Sequence, residues 1–197
     1  MRNAEKNFIG QTSPWGIIQT SEVVSEGGIV RVHTAGHGGL KITEALNERI
    51  PDSVRSANGW YEEDCEWSIV ATVYPELFPV RLAMSAISVC KNYFPEVFFE
   101  ITGILVDESE SSVLRLAAFK AKNAENYIAV SAVGSWHKNC PRGYVVCTAA
   151  IGGRNDDGSV GETQDFLVPE DDYRERADFF VIDPARHPRV VKESPEE

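Results

Sequence analysis

The sequence lacks the short motifs that mark most catalytic and nucleotide-binding sites. It contains no GxGxxG or Walker-type phosphate loop, no HExxH pair and no GxSxG nucleophile turn. Each motif arranges groups around a phosphate, a zinc ion or an acyl carbon. Their absence removes the usual sequence evidence for a nucleotide enzyme, a zinc peptidase or a serine hydrolase. The sequence therefore predicts no cofactor and no metal site of a recognised spacing.

Cysteine and long apolar runs are also scarce. The 4 cysteines form no Cys-x-x-Cys pair, and the spacing of Cys140 and Cys147 lacks two further ligands for a metal site. Buried, reduced thiols are the favoured interpretation. No apolar run approaches the length of a membrane span, and Met1 and Arg2 are not followed by the apolar segment of a signal peptide. We therefore expect a cytoplasmic protein without membrane contact.

Acidic residues outnumber basic residues in this sequence. The net charge is -11, and the acidic excess is spread over both halves of the chain. Such a surface repels phosphate backbones, so the charge predicts no nucleic-acid partner. An acidic mimic of nucleic acid is the less favoured alternative, because most acidic proteins are simply well solvated.

The order of helix-like and strand-like segments predicts an α+β fold. Alternating residues favour an N-terminal hairpin, helical spacing follows in the middle of the chain, and short valine-rich runs near the end favour an antiparallel meander. Because helices and strands are segregated, alternating βαβ units are not indicated. The expected strands are 17–24, 29–34, 40–42, 127–136, 144–151, 162–168 and 179–183. The expected helices are 43–49, 60–74, 80–93, 96–102 and 169–176, with 112–123 either helix or strand.

Domain organisation follows from where polar residues concentrate. Residues 1–13 are predicted to be a flexible N-terminus, 14–191 a single α+β domain and 192–197 a solvated tail. An acidic, serine-rich stretch within 103–112 leaves open a division into two lobes at that point.

A histidine set among glycines is the strongest candidate for chemistry. His37 lies in the sequence Thr-Ala-Gly-His-Gly-Gly, residues 34–39, after a strand-like run. If this loop folds over the acidic cluster Glu62–Asp64, then His37 and a carboxylate, Glu63 or Asp64 in the favoured pairing, form a base and its orienting group, or hold a metal. A structural histidine that bonds the start of a helix is the favoured alternative.

Aromatic residues and glycines around this histidine form a second candidate set. We expect a binding surface formed by Trp15, Gly36, Gly38, Gly39, Trp60 and Tyr61, with large core side chains as the favoured alternative for the tryptophans. Cys65 is a weaker candidate nucleophile, because neighbouring carboxylates oppose formation of its thiolate.

An ordered set of short elements resembles a known family. These elements are Pro14–Gln19, Thr34–Gly39, Gly59–Trp67, Phe166–Pro169 with Tyr173, and Phe180–His187. Together they resemble a domain-of-unknown-function family of proteobacterial, plasmid and phage proteins, whose members have no assigned activity. The resemblance implies, by analogy, an accessory or counter-defence role on mobile elements.

Two functions remain open on the sequence alone. The favoured one is a non-enzymatic phage or plasmid accessory protein that binds a host protein through its acidic face, as an inhibitor of host defence. The alternative is a small hydrolase, metal-assisted or acid/base, using His37 with Glu63 or Asp64.

Overall fold

The structure, a computed structural model, describes residues 8–138, 140–176 and 179–190. Most of the predicted flexible N-terminus and the whole predicted tail lie outside these ranges. The chain divides after Arg115 into two compact units. Both contain antiparallel strands, and helices occupy the middle of the sequence, so the α+β prediction is confirmed.

The first unit combines a four-stranded antiparallel sheet with helices. The sheet has the order β3-β4-β5-β6, and a separate two-stranded ribbon precedes it. The predicted hairpin is β3 and β4, and α3 coincides with the expected second helix. The elements are β1 (Thr12–Ser13), β2 (Gly16–Ile17), β3 (Thr20–Ser25), β4 (Ile29–His33), β5 (Gly38–Ile42), α1 (Glu44–Asn47), β6 (Trp60–Glu62), α2 (Trp67–Val73), α3 (Val80–Tyr93) and α4 (Pro95–Thr102).

The two faces of this sheet bury different groups of side chains. Because residues alternate along a strand, Ile29 and Leu40 point to one face and Val30 and Val32 to the other. The first face packs on buried residues of α2 and α3 in the main core. The second face is covered by Trp15 and other aromatic side chains near the N-terminus.

The expected helix at 60–74 is wrong in its first part. Residues 60–62 form β6, which pairs with β5 so that Leu40 lies opposite Tyr61, and the helix begins only at Trp67. The acids after Tyr61 resemble the first turn of a helix. Pairing with β5 and burial of Tyr61 outweigh that local preference.

Tyr61 links the sheet to the segment between α1 and β6. Its ring is 1% exposed, and its hydroxyl donates to Asn47 Oδ1 at 2.6 Å while accepting from Ser56 N at 3.1 Å. Asn47 Nδ2 in turn donates to Ser56 O at 2.7 Å. Burial raises the pKa of the Tyr61 phenol, so the hydroxyl keeps the proton it donates.

The second unit is a three-stranded antiparallel meander with short flanking helices. Its strands follow the order β7-β8-β9, and buried side chains such as Phe166 and Val168 form its core. The segment after the acidic stretch, which the sequence left ambiguous, is helical. The elements are α5 (Ser112–Lys122, which begins before the division), β7 (Tyr127–Val133), β8 (Tyr144–Ile151), β9 (Thr163–Pro169) and α6 (Glu170–Arg174).

The expected strand at 179–183 is wrong in extent. This segment makes one isolated bridge, Ile128 with Val181, and two flanking backbone hydrogen bonds to β7. The chain then turns, because the Asp183 carboxylate accepts from Ala185 N at 2.9 Å and Pro184 has no N–H to donate.

Among the helices of the described ranges, none has the length and apolar character needed to cross a membrane.

Removing the Tyr61 hydroxyl tests the link between sheet and loop. In Tyr61→Phe, Asn47 Oδ1 and Ser56 N lose a buried partner, so we expect the free energy of unfolding to fall by about 1–3 kcal/mol. Urea unfolding followed by tryptophan fluorescence measures the change, because Trp15, Trp60 and Trp67 lie in this unit.

The matched control is Tyr93→Phe, since Tyr93 is 50% exposed. Its stability should stay within about 0.5 kcal/mol of the original protein. Equal losses in both variants would contradict the role given to the Tyr61 hydroxyl.

Candidate functional site

The turn between β4 and β5 presents His37 to solvent. His33 pairs with Gly38 across the hairpin, which leaves four residues in the connection. Thr34 closes this turn: its N–H and its hydroxyl both donate to His37 O at 2.8 Å, and its Oγ1 accepts from His37 N at 3.3 Å. These hydrogen bonds therefore fix the backbone of the four-residue turn from which the imidazole projects.

Gly38 makes room on one face of the sheet. Contrary to the expectation of a loop, Gly38 and Gly39 are buried residues of β5. A Cβ at position 38 would lie 2.5 Å from Glu63 Oε2, 2.6 Å from Val32 O and 2.8 Å from His33 Nδ1. Glu63 N also donates to Gly38 O at 3.1 Å. A side chain at Gly38 would thus displace both His33 and Glu63.

Gly39 makes room on the opposite face. A Cβ there would overlap the Trp15 ring and Tyr61 O. Trp15 packs edge-on against Trp60 with ring centroids 5.7 Å apart. Of the residues predicted to form a binding surface, Trp15, Trp60 and Tyr61 thus pack in the unit's interior layers, while Gly36 is exposed with no heavy atom near a built Cβ.

The turn and the end of β6 bring one histidine and two carboxylates together. His37, Glu62 and Glu63 each offer one potential ligand atom, and these atoms all lie within 4.8 Å of one another. In a tetrahedral site, ligand atoms about 2.1 Å from the cation are about 3.4 Å from one another. Side-chain movements of about an ångström would therefore give this set metal-binding geometry.

The two oxygens of Glu62 have different surroundings. Oε2 accepts from Asp64 N at 2.6 Å, which fixes the carboxylate against the turn after β6. Oε1 is buried and, among the described residues, has no hydrogen-bond partner. A buried carboxylate oxygen without a hydrogen-bond partner destabilises the folded state, and a cation bound to it would offset that cost.

His33 adds a second imidazole beside this group. Its Nδ1 lies 3.4 Å from Glu63 Oε2, with the side chains 49% and 38% exposed. Because a carboxylate has two oxygens, Glu63 can hold His33 through one and a cation through the other.

Asp64 and Cys65 follow at the turn. Of the predicted acidic cluster, Glu62 and Glu63 lie in the group with His37, but Asp64 is an exposed residue outside it. Burial raises the pKa of the Cys65 thiol, and the charges of Glu62, Glu66 and Asp64 raise it further. A thiol held protonated in this way is a poor nucleophile.

A cleft opens beside Glu63 on the helix-covered face of the sheet. Its volume is about 280 Å³, and Arg31, His33, Glu63 and Trp67 are among its lining residues. Leu40, Leu82 and Gly39 complete the lining. Glu63 thus belongs both to the histidine–carboxylate group and to the wall of the cleft.

His33 and Arg31 received no site role from the sequence. Alternation along β4 was the available signal, because Arg31 and His33 lie two residues apart on one face. Glu62 was grouped with the acids near His37, but treating 60–74 as helix hid the strand that places it opposite Gly39.

The second unit contains a buried histidine whose bonds are internal. His187 is 3% exposed; its Nδ1 accepts from Asp183 N at 3.1 Å, and its Nε2 lies 3.4 Å from Asp172 Oδ2. Arg186 also donates to Asp172 Oδ2, at 2.7 Å. These contacts hold the turn after Asp183 and leave His37 as the more accessible histidine for chemistry.

Comparison with known protein families gives a match that covers most of the first unit. A family model described as a domain of unknown function, DUF7007, matches residues 9–124. The chain belongs to the DUF7007 family. Searches of curated proteins and of solved structures gave no significant match.

The DUF7007 match covers every residue of the candidate site. His37, Glu62, Glu63 and the residues lining the cleft all fall between 9 and 124, whereas the resembling elements at 166–187 lie beyond the matched range. Membership in a domain-of-unknown-function family is confirmed, and it assigns no activity to these residues.

Two glycine substitutions test the geometry of the site. Gly38→Ala forces Cβ against Glu63, His33 and Val32 O, so we expect a loss of about 1–3 kcal/mol in the free energy of unfolding, measured with urea. Gly36→Ala is the matched control, because no atom lies within 4 Å of its Cβ and its φ is not positive. Equal stability of the two variants would contradict the close packing described at Gly38.

Proposed function

We propose that the first unit is a small metal-assisted hydrolase whose centre is formed by His37, Glu62 and Glu63. The observation that carries the proposal is the approach of their three potential ligand atoms to within 4.8 Å of one another. The buried, unpartnered Glu62 Oε1 supports it independently, because a cation would satisfy that oxygen. Nitrogen and oxygen ligands together favour a divalent transition metal such as Zn²⁺ over Ca²⁺ or Mg²⁺.

Three protein ligands suit hydrolysis better than a structural role. Structural zinc sites fill four positions with protein side chains, whereas catalytic sites keep one position for water. A divalent cation lowers the pKa of bound water and so supplies hydroxide at neutral pH. A cation held by His37, Glu62 and Glu63 would supply such a hydroxide for attack on a carbonyl or phosphoryl centre, with departure of the leaving group.

His33 completes this chemistry as the proton carrier. It lines the cleft and is held by Glu63 on the side of Nδ1. It would accept the proton released from water and return it to the leaving group, because an imidazole ring can both accept and donate a proton.

Metal binding is tested with His37→Ala. Isothermal titration calorimetry with Zn²⁺ should show one ion per chain for the original protein. Loss of a ligand should weaken Zn²⁺ binding at least about 100-fold, since even outer partners of metal ligands contribute 10–100-fold.

The matched control is His137→Ala, a histidine of the second unit, which should bind Zn²⁺ normally. With p-nitrophenyl phosphate and p-nitrophenyl acetate, turnover should require Zn²⁺ and disappear in His37→Ala. No Zn²⁺ binding by the original protein, or equal losses in both variants, would contradict the proposal.

A second candidate function is an interaction role as a phage or plasmid accessory protein that inhibits a host factor. One face of α3 favours it: Val80, Met84 and Ile87 occur at helical spacing and are 77%, 66% and 40% exposed. Exposed apolar side chains in a row are typical of protein-binding helices.

Met84→Glu separates this role from the hydrolase. Affinity purification from host cells should recover a stoichiometric partner with the original protein and lose it with Met84→Glu, because a charge cannot be buried in an apolar interface. Ser85→Glu, at an exposed position of α3 away from this face, is the control. Absence of a stoichiometric partner, or equal recovery with all three proteins, would count against an interaction through this face.

A further inference from the structure

The cleft beside Glu63 has a definite chemical character. Leu40, Trp67 and Leu82 supply apolar wall, while Arg31 and His33 supply nitrogen donors. Its volume of about 280 Å³ is just below the range typical of small-molecule sites, about 300–1,000 Å³. These dimensions suit a small ligand with a planar or apolar body.

Arg31 is the fixed cation of this cleft. It lies opposite Leu40 on β5 and opposite Glu22 on β3. Its ion pair to Glu22 is long, 3.6 Å from Nη1 to Oε2, and the Glu22 side chain is 71% exposed. Water screens such a pair, so it contributes little and leaves guanidinium donors available to an anion.

Among the residues lining the cleft, the acidic one is Glu63, which also belongs to the proposed metal centre. A divalent cation there would neutralise the charges of Glu62 and Glu63. The ion pair that the structure describes for Arg31 is the one with the solvated Glu22. A planar guanidinium binds an oxyanion through two parallel hydrogen bonds, which an exposed, long ion pair does not offer.

We infer that the cleft is the substrate site and that it takes a small oxyanion, a carboxylate or a phosphate ester, attached to an aromatic or apolar body. Arg31 binds the oxyanion, and Trp67 with Leu40 and Leu82 packs against the body. The inference rests on the proposed hydrolase for its position beside the metal ligands. The net charge of -11 repels polyanions, so the ligand is a small molecule and not a nucleic acid.

Binding of three probes to the full chain tests this inference. Phenyl phosphate and phenylacetate each combine an oxyanion with a ring, and benzyl alcohol carries the ring without charge. Calorimetry should show both anions binding one per chain and benzyl alcohol binding at least about tenfold more weakly, because it cannot form the charge-assisted bonds. The tighter anion assigns the substrate class as phosphate ester or carboxylate.

Arg31→Met removes the charge and keeps the apolar stem. It should weaken both anions at least about tenfold while leaving Zn²⁺ affinity unchanged. Arg31→Lys, which keeps the charge without the planar fork, should give an intermediate loss, and it serves as the test if Arg31→Met fails to fold. Arg142→Met, at an exposed turn of the second unit, should bind both anions normally.

Different results would contradict the oxyanion site and the metal-assisted hydrolase. Benzyl alcohol binding as tightly as the anions, or neither arginine variant weakening the anions relative to Arg142→Met, would overturn the oxyanion site. Arg31-dependent anion binding without any Zn²⁺ binding would support the anion site and contradict the metal-assisted hydrolase.

Discussion

The arrangement of the first unit depends on two adjacent strand residues that have no side chains. Gly38 and Gly39 begin β5, an inner strand of the sheet, where a Cβ on either would collide with atoms already in place. The space above Gly38 holds the His33–Glu63 pair, and the space below Gly39 holds the Trp15 ring. Because the interior is close-packed, neither position can accommodate a side chain. The same short strand therefore determines where both the aromatic layer and the polar site lie.

This constraint explains how a small unit assembles a polar site at one end of its sheet. The turn that follows β4 carries His37, and the strand that ends at Glu62 delivers two acids beside it. Glu62 and Glu63 alternate between the sheet faces, yet both reach His37 because β6 ends there. The cleft with Arg31 lies on the helix-covered face, in contact with Glu63 and not Glu62. One carboxylate therefore joins the proposed metal centre to the proposed substrate site.

The sequence predicted the elements whose pattern is local and missed those decided by packing. Helix α3 was correct because its apolar residues recur at helical spacing, and β8 was correct because a valine-rich run is bounded by turn residues. The segment at 60–62 was taken for helix, since acids after an aromatic pair resemble a helix start. Its pairing with β5 depends on residues about twenty positions away. For the same reason the sequence placed the acids Glu62–Asp64 near His37 but favoured Asp64, which lies outside the group, over Glu62.

The central claim is that His37, Glu62 and Glu63 share one cation, and X-ray absorption at the zinc edge tests it most directly. On protein loaded with one equivalent of Zn²⁺, the account predicts a first shell of nitrogen and oxygen at about 2.0–2.2 Å, with the outer-shell scattering of an imidazole. That imidazole signal should vanish in His37→Ala. A first shell containing sulfur at about 2.3 Å, or an unchanged spectrum in the variant, would contradict the account.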